Sequence, residues 1–230
     1  MTQISVELLD HMGSDLSIVN AARVSFDKAS ELEWRYDPAT ECSWKHLKES
    51  DAKLLRYLAT HGHWSPFSHA FASFRIKAPM FVARQLGKHQ VGLAWNEVSR
   101  RYVDSEPEFY TPDVWRARAA DVKQGSSECP VVMTNLYHYE NAITPEGLYE
   151  ETEALYRRML EIGVCPEQAR MVLPQSTMTT WIWSGSLYAF ARVCGLRLAK
   201  DTQKETQVVA KYIAEALEPR FPVSWKELSK

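Results

Sequence analysis

The clearest short period in the chain is two. Between Ser68 and Lys77, Ala70, Ala72, Phe74 and Ile76 fall on one face, with Ser73, Arg75 and Lys77 on the other, which predicts a half-buried strand. Ile4–Asp10 also has strand-like composition. Helical spacing is commoner. Leu16–Ser25 reads as a short helix or turn carrying Ala21-Ala22-Arg23. Ser50 or Asp51 can cap a helix running to about Thr60, with Leu54, Leu55 and Leu58 on one stripe and Gly62 at its end. Pro79 stands where a helix takes its first residue, so Met80–His89 is expected to be a short helix. Thr144-Pro145 opens a helix over Pro145–Ile162, with Leu148, Leu155, Met159 and Ile162 as its stripe and Gly163 closing it. Pro166–Val172 is a short helix stopped by Pro174. Trp181–Leu198, apolar nearly all round, is expected to be a buried helix. Asp201–Leu217 is the last, with Val209, Tyr212, Ile213 and Ala216 on one face. Lys28–Ser50 is expected to be a loop, and Asp104–Asn141 is rich in turn formers without a period. Helices with a few strands predict an α+β (α/β) class. No repeat, low-complexity tract or linker divides the sequence, so residues 1–230 are expected to form a single domain.

Composition narrows the function more than the fold. The chain is 45% hydrophobic and 24% charged, an ordinary profile for a folded globule. Its 27 basic and 29 acidic residues leave a formal charge of −2, which argues against a general nucleic-acid binder. Cys42, Cys129, Cys165 and Cys194 form no C-x-x-C pair, and no basic segment precedes an apolar core at the N-terminus. A cytoplasmic protein with reduced thiols is expected. Met171–Ala191 carries no formal charge, but it contains Pro174, Gly185 and seven Ser, Thr or Gln residues. A buried segment is therefore expected there, not a bilayer span.

Charge is unevenly distributed. Arg75–Arg101 holds Arg75, Lys77, Arg84, Lys88, Arg100 and Arg101 against Glu97 alone, a local net of +5 that leaves −7 for the rest. Its neighbours Phe81, Val82, Leu86, Leu93 and Trp95 are apolar, so the window suits a bound anion better than a solvated face. On a helix Arg84 and Lys88 would share a face. Arginine grips phosphate oxygens in pairs, and lysine adds a point charge. Arg170, Arg192 and Arg197 lie in or beside apolar stretches, and no acid occurs between Arg170 and Asp201. Such guanidinium groups need a ligand anion or a subunit partner, although Glu167 is a ready local partner for Arg170. Asn96-Glu97-x-Ser99 beside Arg100-Arg101 offers the mixed donors and acceptors a nucleotide needs. Neither a P-loop nor a dinucleotide glycine motif is present. His61, His63, His69 and His89 invite a metal reading, but His61 and His63 straddle a helix-ending glycine with no carboxylate fixed nearby, so local capping or ligand contact is expected and no metal. There is no G-x-S-x-G elbow, and Cys165 and Cys194 sit in apolar context, where inert burial is expected.

Taken together, the blocks Ala21–Phe26, Gly62–His69, Ala78–Gln85, Asn96–Tyr102, Ala169–Pro174 and Leu196-Arg197 resemble those of flavin-dependent thymidylate synthases, the ThyX family, in family order from about Val6 to Leu217. The family signature is R-H-R, seven residues, then Ser. Here the triplet is Lys88-His89-Gln90, with eight residues before Ser99. Ser68 stands where many relatives carry Glu, and Tyr188 and Arg192 where relatives often have Arg and Asn. The resemblance implies a homotetramer with FAD at subunit interfaces. The implied reaction is reductive methylation of dUMP to dTMP, with methylenetetrahydrofolate as carbon donor and NADPH as reductant. Carried over residue by residue, it assigns Arg84, Gln85, Glu97, Ser99, Arg101 and Arg170 to dUMP. It sets Arg197 against the uracil as the catalytic cation, and gives Ser25, Ser65, Lys88, His89, Gln90 and Ser186 to FAD. A related one-carbon transfer to another pyrimidine nucleotide, or a nucleotide-binding homologue without turnover, would share most of these residues.

Overall fold

A computed structural model describes residues 3–120, 125–133 and 142–230. At the centre is an antiparallel sheet ordered β1-β4-β8-β5, from β1 (Ser5–Met12), β4 (Phe71–Pro79), β8 (Met178–Ser186) and β5 (Leu93–Glu97). Ala72, Phe74, Ile76 and Ala78 of β4 are buried, as the period of two requires. Their neighbours Trp181 and Trp183 on β8 face the same way, paired with Ile76 and Phe74. Behind that face pack the helices, so hydrophobic residues of sheet and helix share one core. The other face carries Ser73, whose hydroxyl bonds that of Ser184 at 2.7 Å. A wholly antiparallel sheet with helices on one face settles the class as α+β.

The helices are α1 (Asp15–Arg23), α2 (Glu49–Thr60), α3 (Met80–Leu86), α4 (Pro145–Glu161), α5 (Pro166–Ala169), α6 (Leu187–Arg197), α7 (Lys204–Leu217) and α8 (Pro222–Leu228). Polar anchors bind distant starts together. The Asp15 carboxylate accepts the backbone N–H groups of Val223 and Ser224 at 2.8 and 3.0 Å, joining the first turn of α1 to that of α8. Buried Asp51 accepts Arg23 Nε at 3.0 Å and the Ser30 hydroxyl. Its carboxylate is committed to α1, and the residue before α2 is Lys48, not Ser50 or Asp51 as expected.

Several other expectations are corrected. Trp181–Leu198 is not one helix: Trp181–Ser186 belongs to β8, and α6 begins at Leu187 with the Ser186 hydroxyl accepting Ala189 N–H at 3.2 Å. Lys28–Ser50 is not a bare loop but holds a hairpin, β2 (Glu33–Asp37) with β3 (Cys42–His46), whose Trp34, Tyr36 and Trp44 are exposed. On α4 the buried positions are Thr152 and Tyr156, while Leu148, Leu155 and the following Ile162 are exposed. Helix α3 stops at Leu86, so Lys88 lies in the turn beyond Arg84's helix. Cys165 is exposed; Cys194 is buried, its thiol pushed up to about 12 by burial and directed at the Ala210 carbonyl. A small pair, β6 (Arg116–Arg118) and β7 (Ser126–Pro130), lies in the Asp104–Asn141 stretch, of which residues 121–124 and 134–141 are outside the described residues. No described helix is long and apolar enough to cross a membrane.

Gly185 sets how closely β5 lies on β8. A Cβ there would fall 2.5 Å from Leu93 Cδ2 and closer still to the Gly92 carbonyl oxygen. Gly185→Ala should therefore push β5 off the sheet, at a cost of about 1–3 kcal/mol. Denaturant melts should show that loss. A fully stable variant would show that β5 has room to spare.

Candidate active site

Helix α3 buries Val82, Ala83 and Leu86 and leaves Arg84 and Gln85 on its outer side. Three clefts meet around it. The first, about 740 Å³, brings Arg84 together with Glu97, Ser99, Arg100 and Arg170. The second, about 600 Å³, lies between α3 and the edge strand β5, with Arg84, Lys88, His89, Gln90, Trp95 and Glu97. The third, about 470 Å³, gathers Gln85, Lys88, Arg116 and Arg197. Arg84 and Glu97 border the first two, and Lys88 the second and third.

The positive window is less uniform than its charge count. Arg75 is paired with Glu7 at 2.8 Å and Lys77 with Glu108 at 2.7 Å. Arg100 donates to the backbone carbonyls of Ser105 and Glu106 at 2.8 and 3.4 Å. Arg101 donates to the Tyr102 hydroxyl and lies over its ring, away from the residues that line the three clefts. Among the described residues Arg84 and Lys88 have no acidic partner, and both line clefts. Arg170 donates to the Glu167 backbone carbonyl at 3.2 Å, not to its carboxylate. The uncommitted positive charge thus collects where an anion can reach it.

Polar side chains are oriented by residues that the sequence did not single out. Glu97 accepts Thr179 Oγ1 at 2.8 Å and Trp95 Nε1 at 3.3 Å. Gln85 donates to Gln203 and accepts Thr206 Oγ1 at 3.1 Å, so its amide is tied to α7. Thr179 was hidden in the uncharged stretch that reads as helix, and Gln203 and Thr206 have no local signal. Ser99 Oγ lies 3.4 Å from Arg101 N. Ser25, in the 3-10 turn Val24–Phe26, and Ser65, at the start of the turn Pro66–His69, are exposed but do not line the three clefts. Ser186 is buried and serves as the cap of α6. His61 stacks on Tyr57 at 4.1 Å and bonds its backbone carbonyl, a local role. No group of three or more potential metal ligands exists among the described residues.

Arg197 Nε donates to His89 Nε2 at 3.0 Å, and its Nη2 to the Gln85 carbonyl at 3.3 Å. A ring nitrogen that accepts carries no proton, so His89 is the neutral Nδ1–H tautomer. Burial first, then the charges of Arg197 and Arg192, holds His89 below the ordinary imidazole value of 6.5. With the folded value depressed, the contact persists through neutral pH and is lost as pH falls through that lowered value. An NMR titration should find His89 ionising below 6.5, and Arg197→Ala should raise it. Ionisation above 6.5 would contradict this pairing.

The family model for "Thymidylate synthase complementing protein" matches residues 7–223. A flavin-dependent thymidylate synthase of Thermus thermophilus is 37% identical over 220 residues, 96% of this chain and 73% of the relative. One of Thermosipho africanus is 33% identical over 225 residues, 98% and 90% of the two chains. The chain belongs to the flavin-dependent thymidylate synthase family. Among solved structures, a UMP/dUMP methylase, PolB, from Streptomyces cacaoi bound with 5-Br dUMP superposes with a TM-score of 0.78 at 28% identity, covering 100% of this chain and 96% of that one. The same enzyme bound with 5-Br UMP gives 0.74 at 27%, covering 100% and 95%. Residues 7–223, the span matched by the family model, contain every site residue named above.

Proposed function

We propose that this protein reductively methylates dUMP to dTMP, with FAD as cofactor, methylenetetrahydrofolate as carbon donor and NADPH as reductant. The observation that carries the reading is the first cleft, where Arg84 and Arg170, neither ion-paired among the described residues although Glu106, Glu108 and Glu167 also line the cleft, meet Glu97 and Ser99. Two guanidinium groups suit a phosphate. Glu97, already held by Thr179 and Trp95, keeps lone pairs for a donor on the nucleotide; Gln85 lines the third cleft instead, and Arg101 would have to leave Tyr102 to reach the nucleotide. Arg197, which lines the third cleft, is the cation we assign to the pyrimidine, where a fixed charge would stabilise the one that gathers on the ring as its carbon becomes nucleophilic. The buried Cys194 thiol is unsuited to attack.

The second cleft fits the flavin: Trp95 gives a flat apolar wall, and Lys88, His89 and Gln90 a polar lip with one free cation. When bound, FAD supplies the hydride. In this reading Ser25 and Ser65 reach it across a subunit boundary, and Ser186 acts by fixing the start of α6. The exposed apolar residues Val24, Phe26, Val91, Met171 and Leu196 support assembly into a homotetramer. The unpaired cysteines are compatible with work in the cytoplasm. Among the structural neighbours is an enzyme described as a UMP/dUMP methylase, which favours UMP as a second acceptor.

The purified protein should be yellow, and its flavin band should shift on addition of dUMP. Turnover with UMP in parallel separates the acceptors. A colourless protein that takes up no FAD when supplied would overturn the proposal.

A further inference from the structure

Glu97 borders both the first cleft and the second, and its carboxylate is held from two sides. The β5–β8 register arranges this. Glu97 lies opposite Trp181 and Trp95 opposite Trp183, so Trp95, Glu97, Thr179, Trp181 and Trp183 share one face of the sheet. Trp181 and Trp183 are buried, and at half-buried Thr179 the row turns polar. Thr179 is the diagonal neighbour of Glu97 across the strands, within reach of a long side chain. Its hydroxyl donates to Glu97 Oε1 at 2.8 Å. From β5 itself Trp95 Nε1 donates to Oε2 at 3.3 Å. The Trp95 ring is fixed in turn by stacking on Trp181, with centroids 4.5 Å apart and planes 18° from parallel. Backbone pairing continues past Glu97, where Val98 N–H meets the Thr180 carbonyl at 2.9 Å. Both donors and the carboxylate therefore ride on one ladder.

An exposed glutamate ordinarily explores many rotamers, and ordering it costs conformational entropy. Here each oxygen is engaged by a donor that is itself restricted: threonine is β-branched and stiff at its first torsion, and the indole is pinned by its stack. An ionised carboxylate only accepts, and one contact on each oxygen leaves lone pairs on both. Thr179 lines the first cleft with Glu97, and Trp95 lines the second. We propose that Thr179 and Trp95 are positioning residues that hold the Glu97 carboxylate as a preset acceptor for a donor on the nucleotide. Thr179 contributes the larger share, because its contact is the shorter. This rests on the assignment of Glu97 to dUMP. Presetting the acceptor raises affinity by removing the ordering cost from the binding step.

The test is calorimetric titration of dUMP into the whole, FAD-loaded protein. Thr179→Val keeps the branched shape and removes the hydroxyl, and should weaken dUMP about tenfold with thermal melting unchanged. Thr179→Ser, which keeps the hydroxyl, should bind dUMP nearly as wild type. Trp95→Phe keeps a ring and removes the N–H, and should weaken dUMP by a smaller factor. In a Glu97→Ala background neither Thr179→Val nor Trp95→Phe should have a further effect, since nothing is left to position. Unchanged affinity in Thr179→Val or Trp95→Phe, a serine variant as weak as the valine one, or additive losses with Glu97→Ala would each overturn the inference. Should Thr179→Val not fold, the Trp95→Phe and Glu97→Ala cycle decides by the same criterion. Wild-type affinity in Glu97→Ala would take Glu97 off the nucleotide and overturn the inference with it. A wild-type protein that binds no dUMP would overturn the proposed methylation as well, whereas a protein that binds dUMP and is indifferent to Thr179→Val overturns the positioning role alone.

Discussion

Arg197→Ala should lower turnover with dUMP by about 10²–10³-fold while leaving the fold intact. The guanidinium is half-buried at the end of α6 and spends one N–H on His89 Nε2 and another on the Gln85 carbonyl. Those bonds fix its direction before substrate arrives, which makes a cation effective on charge that develops only in the transition state. Removing it leaves Arg84 and Arg170 in place, so dUMP affinity should fall far less than turnover. Arg197→Lys should recover little, because an ammonium cannot keep both contacts and face the ring. Steady-state kinetics beside direct dUMP titration separates the terms. A variant with wild-type turnover would remove Arg197 from the chemistry, and equal losses in affinity and rate would make it a binding residue only.

The second large effect is in the core. Trp183 is fully buried, opposite Phe74 on β4 and Trp95 on β5, with ring centroids 5.5 Å from Trp95 and 5.4 Å from Phe190. Trp183→Ala should cost about 3–5 kcal/mol, a large part of the stability of an ordinary domain. It should also loosen β5, and with it Glu97. Trp183→Phe should cost much less, because the indole N–H has no acceptor among the described residues and its loss breaks no hydrogen bond. Denaturant melts of both variants check this. Equal losses would mean that the indole N–H is satisfied after all, and a stable Ala variant that the sheet does not rest on this ring.

What could be read from the chain follows from which interactions are local. The β4 alternation was visible because one face is buried and the other polar. β8 was not: both neighbours in the sheet are strands, its outer face carries Thr180, Ile182 and Ser184 without charge, and its pattern merges with α6. The capping role of Ser186 was the available signal for that break. The hairpin between Glu33 and His46 leaves its aromatic residues exposed, so no buried face marked its period. For the site, counting charge located the cluster around Arg84. It could not show that Arg75 and Lys77 are neutralised, because Glu7 meets Arg75 only through the β1–β4 register and Glu108 is far along the chain. Family blocks pointed to Arg197; its pairing with His89 needed the fold.

The most direct test of the central claim is mass analysis of the nucleotide after incubation with dUMP, methylenetetrahydrofolate, NADPH and FAD. Conversion to dTMP that stops when FAD or the folate is withheld is the predicted result. Unchanged dUMP in the complete mixture, or dTMP formed at full rate by flavin-free protein, would contradict it.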